Sequence, residues 1–200
     1  NLHEKRSTFI AFEDGFHGDT FGAMSVSGLS VYNGPFEDFL MEVKRIPVPN
    51  CENHQEILIE LEKIISENKV AGFIYEPLVQ GAAGMKIHNS EGLNEILKFL
   101  KTKNILTIAD EVMTGFGKTG RNFASDFIDT KPDIICLSKA LTAGLVPMAI
   151  TSCTENIYEA FLSNEMAKGF FHCHTYSANP IACAAANAAI SSVSVMSAAS

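Results

Sequence analysis

Two apolar runs decide the fold of this chain: Ile105-Leu106-Thr107-Ile108-Ala109-Asp110-Glu111 and Ile134-Ile135-Cys136-Leu137-Ser138-Lys139. Short runs rich in Ile and Leu are typical of buried strands in a parallel sheet. In open α/β sheets, ligands bind at the carboxyl ends of such strands. The chemistry of this chain is therefore expected where the two runs end, at Asp110 and Lys139.

Further apolar runs alternate with amphipathic patterns along the chain. Strands are predicted at Thr8–Phe12, Val70–Tyr75, Leu106–Ala109, Ile134–Leu137 and Met148–Ser152. Helices are predicted at Asn53–Glu67, Glu91–Lys103 (with Ser90 as its N-cap), Glu155–Phe161 and Asn179–Ser191. Strands that alternate with helices predict βαβ units, and so an α/β fold with a mostly parallel sheet flanked by helices.

The composition is that of a globular domain. The chain has 200 residues, of which 46% are hydrophobic and 19% are charged, which is enough for one domain with a core. The net charge is −8 and the longest basic run is Lys44-Arg45, so a nucleic-acid partner is not expected. No apolar stretch reaches the roughly 20 residues of a membrane span, and no membrane partner is expected.

The cysteines indicate the cellular compartment of the protein, and the first residues indicate whether the chain is part of a longer one. The five cysteines have irregular spacing and predict no disulfide framework, so we expect a cytoplasmic protein. The sequence begins at Asn1 and soon enters a strand pattern, which suggests an internal part of a longer protein.

Asp110 and Lys139 are each costly to bury alone, so their position at strand ends indicates a partner that serves both. Pyridoxal 5'-phosphate (PLP) is such a partner, because its carbonyl forms a Schiff base with a Lys and an Asp keeps its ring nitrogen protonated. We expect Lys139 to enter a pocket, since burial favours the neutral amine that attacks an aldehyde. Val112 falls on the same side of the backbone as Asp110, so a charge and an apolar contact can meet one flat ring.

Other candidates lie near the same strand ends. Phe16 and His17 follow the first predicted strand. An aromatic ring there can stack on a cofactor, a contact worth about 1 kcal/mol beyond burial; the alternatives are core packing for Phe16 and a structural hydrogen bond for His17. Glu76 follows Val70–Tyr75 on the same rim, where it is either a loop residue or a group that tunes a neighbour or binds a substrate amine.

Thr175 precedes the last predicted helix, in a loop whose hydroxyl and amide groups suit a phosphate or only an N-cap. The nearby His172 and His174 lack the spacing of a closed zinc site, and no metal site is predicted.

Taken together, the motifs resemble the class III, fold type I aminotransferases that use PLP. The resemblance extends from about Thr8 to Ile190 and rests on Asp110-Glu111-Val112, on Gly115-Phe116-Gly117 with Thr119-Gly120, and on Ser138-Lys139-Ala140-Leu141-Thr142. It implies that Lys139 is the Schiff-base lysine and Asp110 the partner of the ring nitrogen, both catalytic. It also implies Phe16 in the place of a ring-stacking Tyr, and Val112 on the other face of the ring.

The resemblance implies further contacts and partners. His17 and Glu76 are expected beside the cofactor, and Thr175 as a phosphate ligand that reaches the cofactor of the other subunit. The enzyme is then a homodimer with its active site at the subunit interface. Its substrates are a small-molecule amino donor and a keto acceptor, with Asp19 near the substrate amine and with Phe16 and Lys118 also on the substrate side.

Within the family, Phe16–Ser27 and Val79–Met85 are most similar to the branch that converts 8-amino-7-oxononanoate to 7,8-diaminononanoate in biotin biosynthesis. Met113 stands where many members have Gln, and Lys118 where this branch usually has Arg. His174 stands where members that use adenosylmethionine often have Pro, so the amino donor stays open. The alternatives are a 4-aminobutyrate, ornithine or acetylornithine aminotransferase, a glutamate-1-semialdehyde aminomutase, and a non-catalytic PLP-binding module.

The resemblance also divides the chain. Residues 1–190 are expected to form the central part of the PLP-binding large domain, and residues 191–200 a low-complexity tail without a regular packed element. The N-terminal segment with a phosphate-binding Gly-Ser loop, and a C-terminal small domain with a carboxylate-binding Arg, are expected outside this chain.

Overall fold

The computed structural model describes residues 5–30 and 33–198. Its strands are Thr8–Phe12 (β1), Val43–Ile46 (β2), Val70–Tyr75 (β3), Val79–Gln80 (β4), Lys86–Ile87 (β5), Leu106–Asp110 (β6), Ile134–Leu137 (β7) and Ile150–Cys153 (β8). Its α-helices are Phe21–Val26 (α1), His54–Glu67 (α2), Ser90–Thr102 (α3), Glu155–Glu159 (α4) and Pro180–Ala198 (α5). Short 3₁₀ helices cover Gly34–Phe39, Ala124–Phe127, Lys139–Thr142 and Met166–Lys168. Among the helices of these ranges, none has the length and apolarity that a membrane crossing requires.

One mostly parallel sheet organises the molecule. Its strand order is β2-β1-β3-β6-β7-β8. Every pair is parallel except β7 with β8, which is antiparallel. The α/β class and the mostly parallel sheet predicted from the sequence are therefore confirmed. β4 and β5 form a separate antiparallel hairpin beside the sheet.

Helix α3 covers one face of the sheet with the stripe that its sequence predicts. Leu93, Ile96, Leu97 and Leu100 are fully buried and belong to one core cluster with residues of α2, β1 and β3. Burying such a side chain stabilises the fold by about 1.5–3 kcal/mol.

The N-cap of α3 differs from the prediction. Asn89 accepts a hydrogen bond from the backbone N–H of Gly92 at 2.6 Å, so the cap is Asn89 rather than Ser90. The physical reason is backbone conformation, since Asn89 is extended while Ser90 is already helical.

Three elements were not predicted: β2, α1 and the hairpin. β2 was missed because Lys44 and Arg45 interrupt its apolar residues. In the structure the Arg45 guanidinium donates to the carbonyl oxygens of Ser25 and Ser27 at 2.8 and 2.7 Å, which compensates its partial burial. The hairpin and α1 are too short to show a period in sequence.

Other predicted bounds also shift. β6 extends to Asp110, α2 begins at His54, α3 spans Ser90–Thr102 and α4 ends at Glu159. β8 begins at Ile150 rather than Met148. Helix α5 continues through Ala198, although the sequence predicted no regular element after Ser191. Ala has the highest helix propensity, so the low-complexity composition did not prevent a helix; residues 199 and 200 lie outside the described part.

Candidate active site

Five of the predicted site residues lie at one edge of the sheet. The strands β1, β3, β6 and β7 are parallel neighbours, so their carboxyl ends share that edge. The segments that leave these ends carry Phe16 and His17 after β1, Glu76 after β3, Asp110 at the end of β6, and Lys139 after β7.

Asp110 and His17 form a buried pair. His17 Nδ1 lies 2.7 Å from Asp110 Oδ2, and the two side chains are 3% and 9% exposed. The other oxygen, Oδ1, accepts the backbone N–H of Val112 at 3.1 Å. Because a carboxylate only accepts hydrogen bonds, Nδ1 of His17 carries the proton between them. His17 therefore contacts Asp110 directly. The sequence left two roles open for His17, a contact with the cofactor and a structural hydrogen bond, and the structure shows such a hydrogen bond.

The end of α1 holds His17 in place. The backbone N–H of His17 donates to Ser27 Oγ at 2.9 Å, and the same hydroxyl donates to the carbonyl of Ala23 at 2.8 Å. Sequence reasoning missed Ser27 because nothing in its local pattern relates it to His17.

Glu76 is a brace between two loops. Its oxygens accept the backbone N–H groups of Phe16 at 3.0 Å and of Gly81 at 2.9 Å, and the residue is 6% exposed. Burial, as the main cause, raises the pKa of the Glu76 carboxyl, and the nearby Asp110 raises it further, against the lowering effect of these hydrogen bonds and of His17. Glu76 thus fixes the backbone at Phe16, which is a more specific task than the sequence indicated.

Glu111 points away from Asp110. It is fully buried, and accepts hydrogen bonds from Thr114 Oγ1 at 2.6 Å and from the backbone N–H groups of Ala124 and Ser125 at 3.0 and 2.7 Å. It anchors the loop after β6, whereas Val112 is half-buried.

Lys139 is exposed in the part of the chain that the structure describes. That Lys139 enters a pocket in the full-length protein stays a prediction. Its backbone φ is 44°, in the left-handed region that non-glycine residues rarely adopt. Ser138 Oγ, which donates to the carbonyl of Met148 at 2.7 Å, and the buried Leu141 hold the turn on either side. Local sequence could not predict this exposure, because it depends on which other groups pack over the end of β7.

Phe16 and Asp19 border an open groove. Both line a space of about 610 Å³ together with Asp14, Leu29 and Ala82. Phe16 is 45% exposed, so its ring is available to a ligand, and core packing is not its role in this chain. The Asp14 carboxylate pairs with Lys86 Nζ at 3.1 Å, so Asp19 is the carboxylate of this groove that can attract a cationic amine.

Lys118 and Thr175 lie apart from the network that joins Phe16, His17, Glu76 and Asp110. Lys118 is exposed in the loop after β6, and Thr175 is exposed in the turn before α5. The neighbours of Thr175 in that turn line a groove of about 860 Å³ with Ser138. The structure thus places the turn across a groove from the end of β7, but brings neither residue to Asp110.

Gln80 is a buried polar residue of this site that sequence reasoning missed. It is fully buried at the end of β4, and its amide nitrogen donates to the carbonyl of Glu13 at 2.7 Å. A two-residue strand carries no periodic signal, so only the fold shows that Gln80 reaches the segment after β1.

The family model "Aminotransferase class-III" matches residues 1–197. The chain belongs to the class III aminotransferases. The resemblance inferred from Asp110-Glu111-Val112 and Ser138-Lys139 is therefore confirmed.

Two curated relatives of this class III aminotransferase chain carry the same name. The adenosylmethionine-8-amino-7-oxononanoate aminotransferase of Synechococcus elongatus is 43% identical over 198 residues, which cover 95% of this chain and 47% of that protein. The enzyme of the same name from Staphylococcus aureus is 41% identical over 92% of this chain and 43% of its own length. The chain spans about half the length of the curated relatives it matches.

Solved structures of aminotransferases have the same fold as this class III aminotransferase chain. An adenosylmethionine-8-amino-7-oxononanoate aminotransferase from Methanocaldococcus jannaschii superposes with a TM-score of 0.89 at 35% identity, over 98% of this chain and 46% of that one. A PLP-bound amine transaminase from an uncultivated Pseudomonas species has a TM-score of 0.88 at 31% identity, over 96% and 46%.

Proposed function

We propose that the full-length protein is a PLP-dependent aminotransferase that transfers an amino group to 8-amino-7-oxononanoate and forms 7,8-diaminononanoate in biotin biosynthesis. The names of the relatives from Synechococcus elongatus and Staphylococcus aureus support the substrate. The observation that carries the chemistry is the buried Asp110–His17 pair, one strand away from Lys139.

The residues present fit PLP. Asp110 pairs with Cys136 across β6 and β7, so Lys139 leaves the next strand three residues beyond the position of Asp110. A buried carboxylate with a fixed hydrogen-bond partner suits a protonated ring nitrogen, and a primary amine suits the carbonyl of the cofactor. Asp110 and Lys139 thus match the ring nitrogen and the carbonyl of PLP. Phe16 and Val112 would contact its ring. Thr175 of the other subunit would bind its phosphate.

When bound, PLP supplies an electron sink for the negative charge that develops as a substrate amine loses its α-proton. Asp110 holds a proton at the ring nitrogen, and His17 keeps the Asp110 carboxylate in one orientation through the 2.7 Å hydrogen bond. Lys139 Nζ would move the substrate's α-proton between carbon atoms, as a positioned general base and acid. Glu76 holds the backbone of Phe16, whose ring would contact the cofactor, through its hydrogen bond from the Phe16 N–H.

On the substrate side, we assign Asp19 to the substrate amine and Phe16 to the wall of the same groove. The carboxylate of Asp19 at that groove supports the assignment. Lys118, exposed in the loop after β6, is proposed as a further substrate contact, and its ammonium lacks the planar fork of the Arg it replaces.

We also propose a cytoplasmic homodimer with its active site at the subunit interface. The exposure of Lys139 and of the turn at Thr175 supports this, since both need cover in an active site that excludes water. Five free cysteines, of which Cys51, Cys153 and Cys173 are exposed, fit a reducing compartment.

The test is Lys139→Ala in the full-length protein. We expect loss of the visible absorbance of the covalently held cofactor and a fall in turnover of about 10²–10⁴-fold, the range for losing a positioned proton-transfer group. Lys98→Ala, an exposed lysine on α3, is the control and should change neither. Persistence of both signals in Lys139→Ala contradicts the proposal.

The acceptor assay separates the alternatives. Amino transfer to 8-amino-7-oxononanoate supports the proposed substrate, whereas preference for 2-oxo acids with ornithine or 4-aminobutyrate as donor overturns it. Turnover of one substrate without any external donor identifies an aminomutase.

A further inference from the structure

Two buried polar atoms next to the Asp110–His17 pair lack a hydrogen-bond partner among the described residues. They are Nε2 of His17 and Oε1 of Gln80. Leaving such an atom unsatisfied costs about 1–3 kcal/mol, and buried polar atoms in native proteins are almost always paired with protein or with ordered water.

Both side chains lie beside Gly15. A Cβ placed on Gly15 would lie 3.2 Å from His17 Nε2, 3.4 Å from the carbonyl oxygen of Phe12 and 3.6 Å from Gln80 Nε2, the nitrogen of the carboxamide that carries Oε1. Gly15 is buried and does not have the positive φ that would require glycine for conformational reasons. What glycine supplies at this position is the room between the two side chains.

The orientation of each group is set by its other hydrogen bond. Gln80 must direct its amide nitrogen at the carbonyl of Glu13, 2.7 Å away, so its oxygen faces elsewhere as an acceptor. His17 directs Nδ1–H at Asp110, so in the neutral ring Nε2 presents a lone pair. Two acceptors that border one space need a donor with two hydrogens.

We propose that Gln80 is a positioning residue: its carboxamide oxygen and His17 Nε2 share one bound water molecule, which extends the Asp110–His17 pair to Gln80. The water donates one hydrogen to each atom. A polar space with several partners is the setting in which buried water is retained. The hairpin thereby holds the imidazole ring with Nδ1–H directed at Asp110.

The catalytic consequence rests on the proposed function. Gln80 then acts on the cofactor only through His17 and Asp110, by keeping one orientation of the imidazole. The alternative is a brace, in which Gln80 matters only through its bond to Glu13. The two roles differ in what happens at His17 Nε2.

The first measurement is a crystal structure of the full-length holoenzyme at a resolution that shows ordered water. We expect a water within about 3.2 Å of both His17 Nε2 and Gln80 Oε1. Its absence from that space overturns the proposal.

The second measurement is the ¹⁵N resonance of His17 Nε2 in ring-labelled protein, recorded with and without cofactor. In Gln80→Met the water loses one of its two acceptors, so we expect the Nε2 resonance to move downfield as the nitrogen loses its hydrogen bond. Gln80→Glu loses the bond to Glu13, as Gln80→Met does, but keeps an oxygen that can accept from the water, so the resonance should not follow that of Gln80→Met. Gln55→Met, at an exposed glutamine of α2, is the matched control and should leave it unchanged.

A third variant, Gly15→Ala, separates the water from the brace. Its methyl group takes the space beside His17 Nε2 while the bond between Gln80 and Glu13 stays intact, so we expect the downfield shift of Gln80→Met. In the holoenzyme both variants should lower kcat several-fold with little change in KM.

If Gln80→Glu and Gln80→Met give the same resonance, or Gly15→Ala leaves it unchanged, Gln80 is only a brace and the proposal fails. The resonance in cofactor-free protein does not depend on catalysis. Failure of the proposed function would appear instead as absence of PLP binding, with the Nε2 results intact.

Discussion

Asp110 and Glu111 are adjacent carboxylates with different tasks. Side chains alternate at the end of β6, so Asp110 faces His17 while Glu111 enters the interior. Each buried charge is compensated, Asp110 by His17 and the N–H of Val112, Glu111 by Thr114 and two backbone N–H groups. One residue is thereby available to a ligand and the other stabilises the loop that follows.

Replacing Glu111 by Gln should lower the free energy of unfolding by about 2–4 kcal/mol, because the new amide nitrogen would face a backbone donor in a fully buried site. Urea titration measures this loss. Glu60→Gln, at an exposed position of α2, should stay within about 0.5 kcal/mol of the parent protein. An equally small effect of Glu111→Gln would show that the three hydrogen bonds are dispensable.

Glu76 gives a pH dependence of stability whose sign follows from burial. Its pKa is raised above the ordinary value of 4.5, so the folded state binds the proton more tightly than the unfolded state. The stability that this adds is complete below pH 4.5 and is lost as the pH rises through the raised pKa.

We therefore expect the unfolding free energy of the parent protein, relative to Glu76→Gln, to decrease as the pH rises from 4.5 through the raised pKa of Glu76. Urea titrations at several pH values test this. A relative stability that increases over the same interval would mean that the two backbone hydrogen bonds outweigh burial and lower the pKa.

At the scale of elements, the β4–β5 hairpin supports the loop after β1. Glu76 and Gln80 each reach that loop, through the N–H of Phe16 and the carbonyl of Glu13. Met113, from the loop after β6, packs against Gly81 so closely that a Cβ there would overlap its sulfur. Three segments that are distant in sequence thus hold one another at the site.

The segment after α1 crosses the loop after β1 at Gly28. The N–H of Gly28 donates to the carbonyl of Gly15 at 2.7 Å, and a Cβ on Gly28 would lie 2.7 Å from Asp14 Cα. Because the clash is with backbone, Gly28→Ala should destabilise the protein by about 1–3 kcal/mol. Gly22 lies in α1, and a Cβ added there would meet no other part of the protein within 4 Å. Gly22→Ala should therefore stabilise the protein by up to about 1 kcal/mol.

Thermal denaturation of both variants measures these effects. A Gly28→Ala protein as stable as Gly22→Ala would show that the two loops separate without cost.

Local pattern predicted the elements that have a period. β1, β3 and β7 match their predicted bounds, since buried apolar runs identify themselves. β2 carries Lys44 and Arg45 and becomes a strand only because β1 pairs with it and carbonyl groups of the α1 end accept from Arg45. Its formation is a tertiary effect that no window of sequence contains.

At the scale of the whole molecule, the second half of the chain exposes large apolar side chains. Within residues 161–176, named here the aromatic segment, Phe161, Leu162, Met166, Phe170 and Phe171 are 42–82% exposed. An exposed apolar patch of this kind is typical of an interaction surface. It supports the proposed homodimer.

Phe171→Glu in the full-length protein should therefore shift the dimer toward monomer, since a charge would be buried at the interface without a partner. Sedimentation velocity measures the shift. Ile59→Glu is the control, because Ile59 is exposed to the same degree, 73% against 71%, but lies on α2, away from the aromatic segment. Dimers of equal stability in both variants would place the interface elsewhere.

The sequence by itself determined the α/β class, the strands that end at Asp110 and near Lys139, and the family. Those features depend on short apolar runs and on motifs that are contiguous in the chain. A short window of sequence is therefore enough to recognise each of them. The tertiary structure alone decided that His17 pairs with Asp110, that Glu76 and Gln80 brace the loop after β1, and that Lys139 is exposed. The order of strands brings these segments together, and it decides which side chains contact one another and which stay uncovered. The energies of these contacts therefore depend on the whole fold and cannot be read from one stretch of sequence.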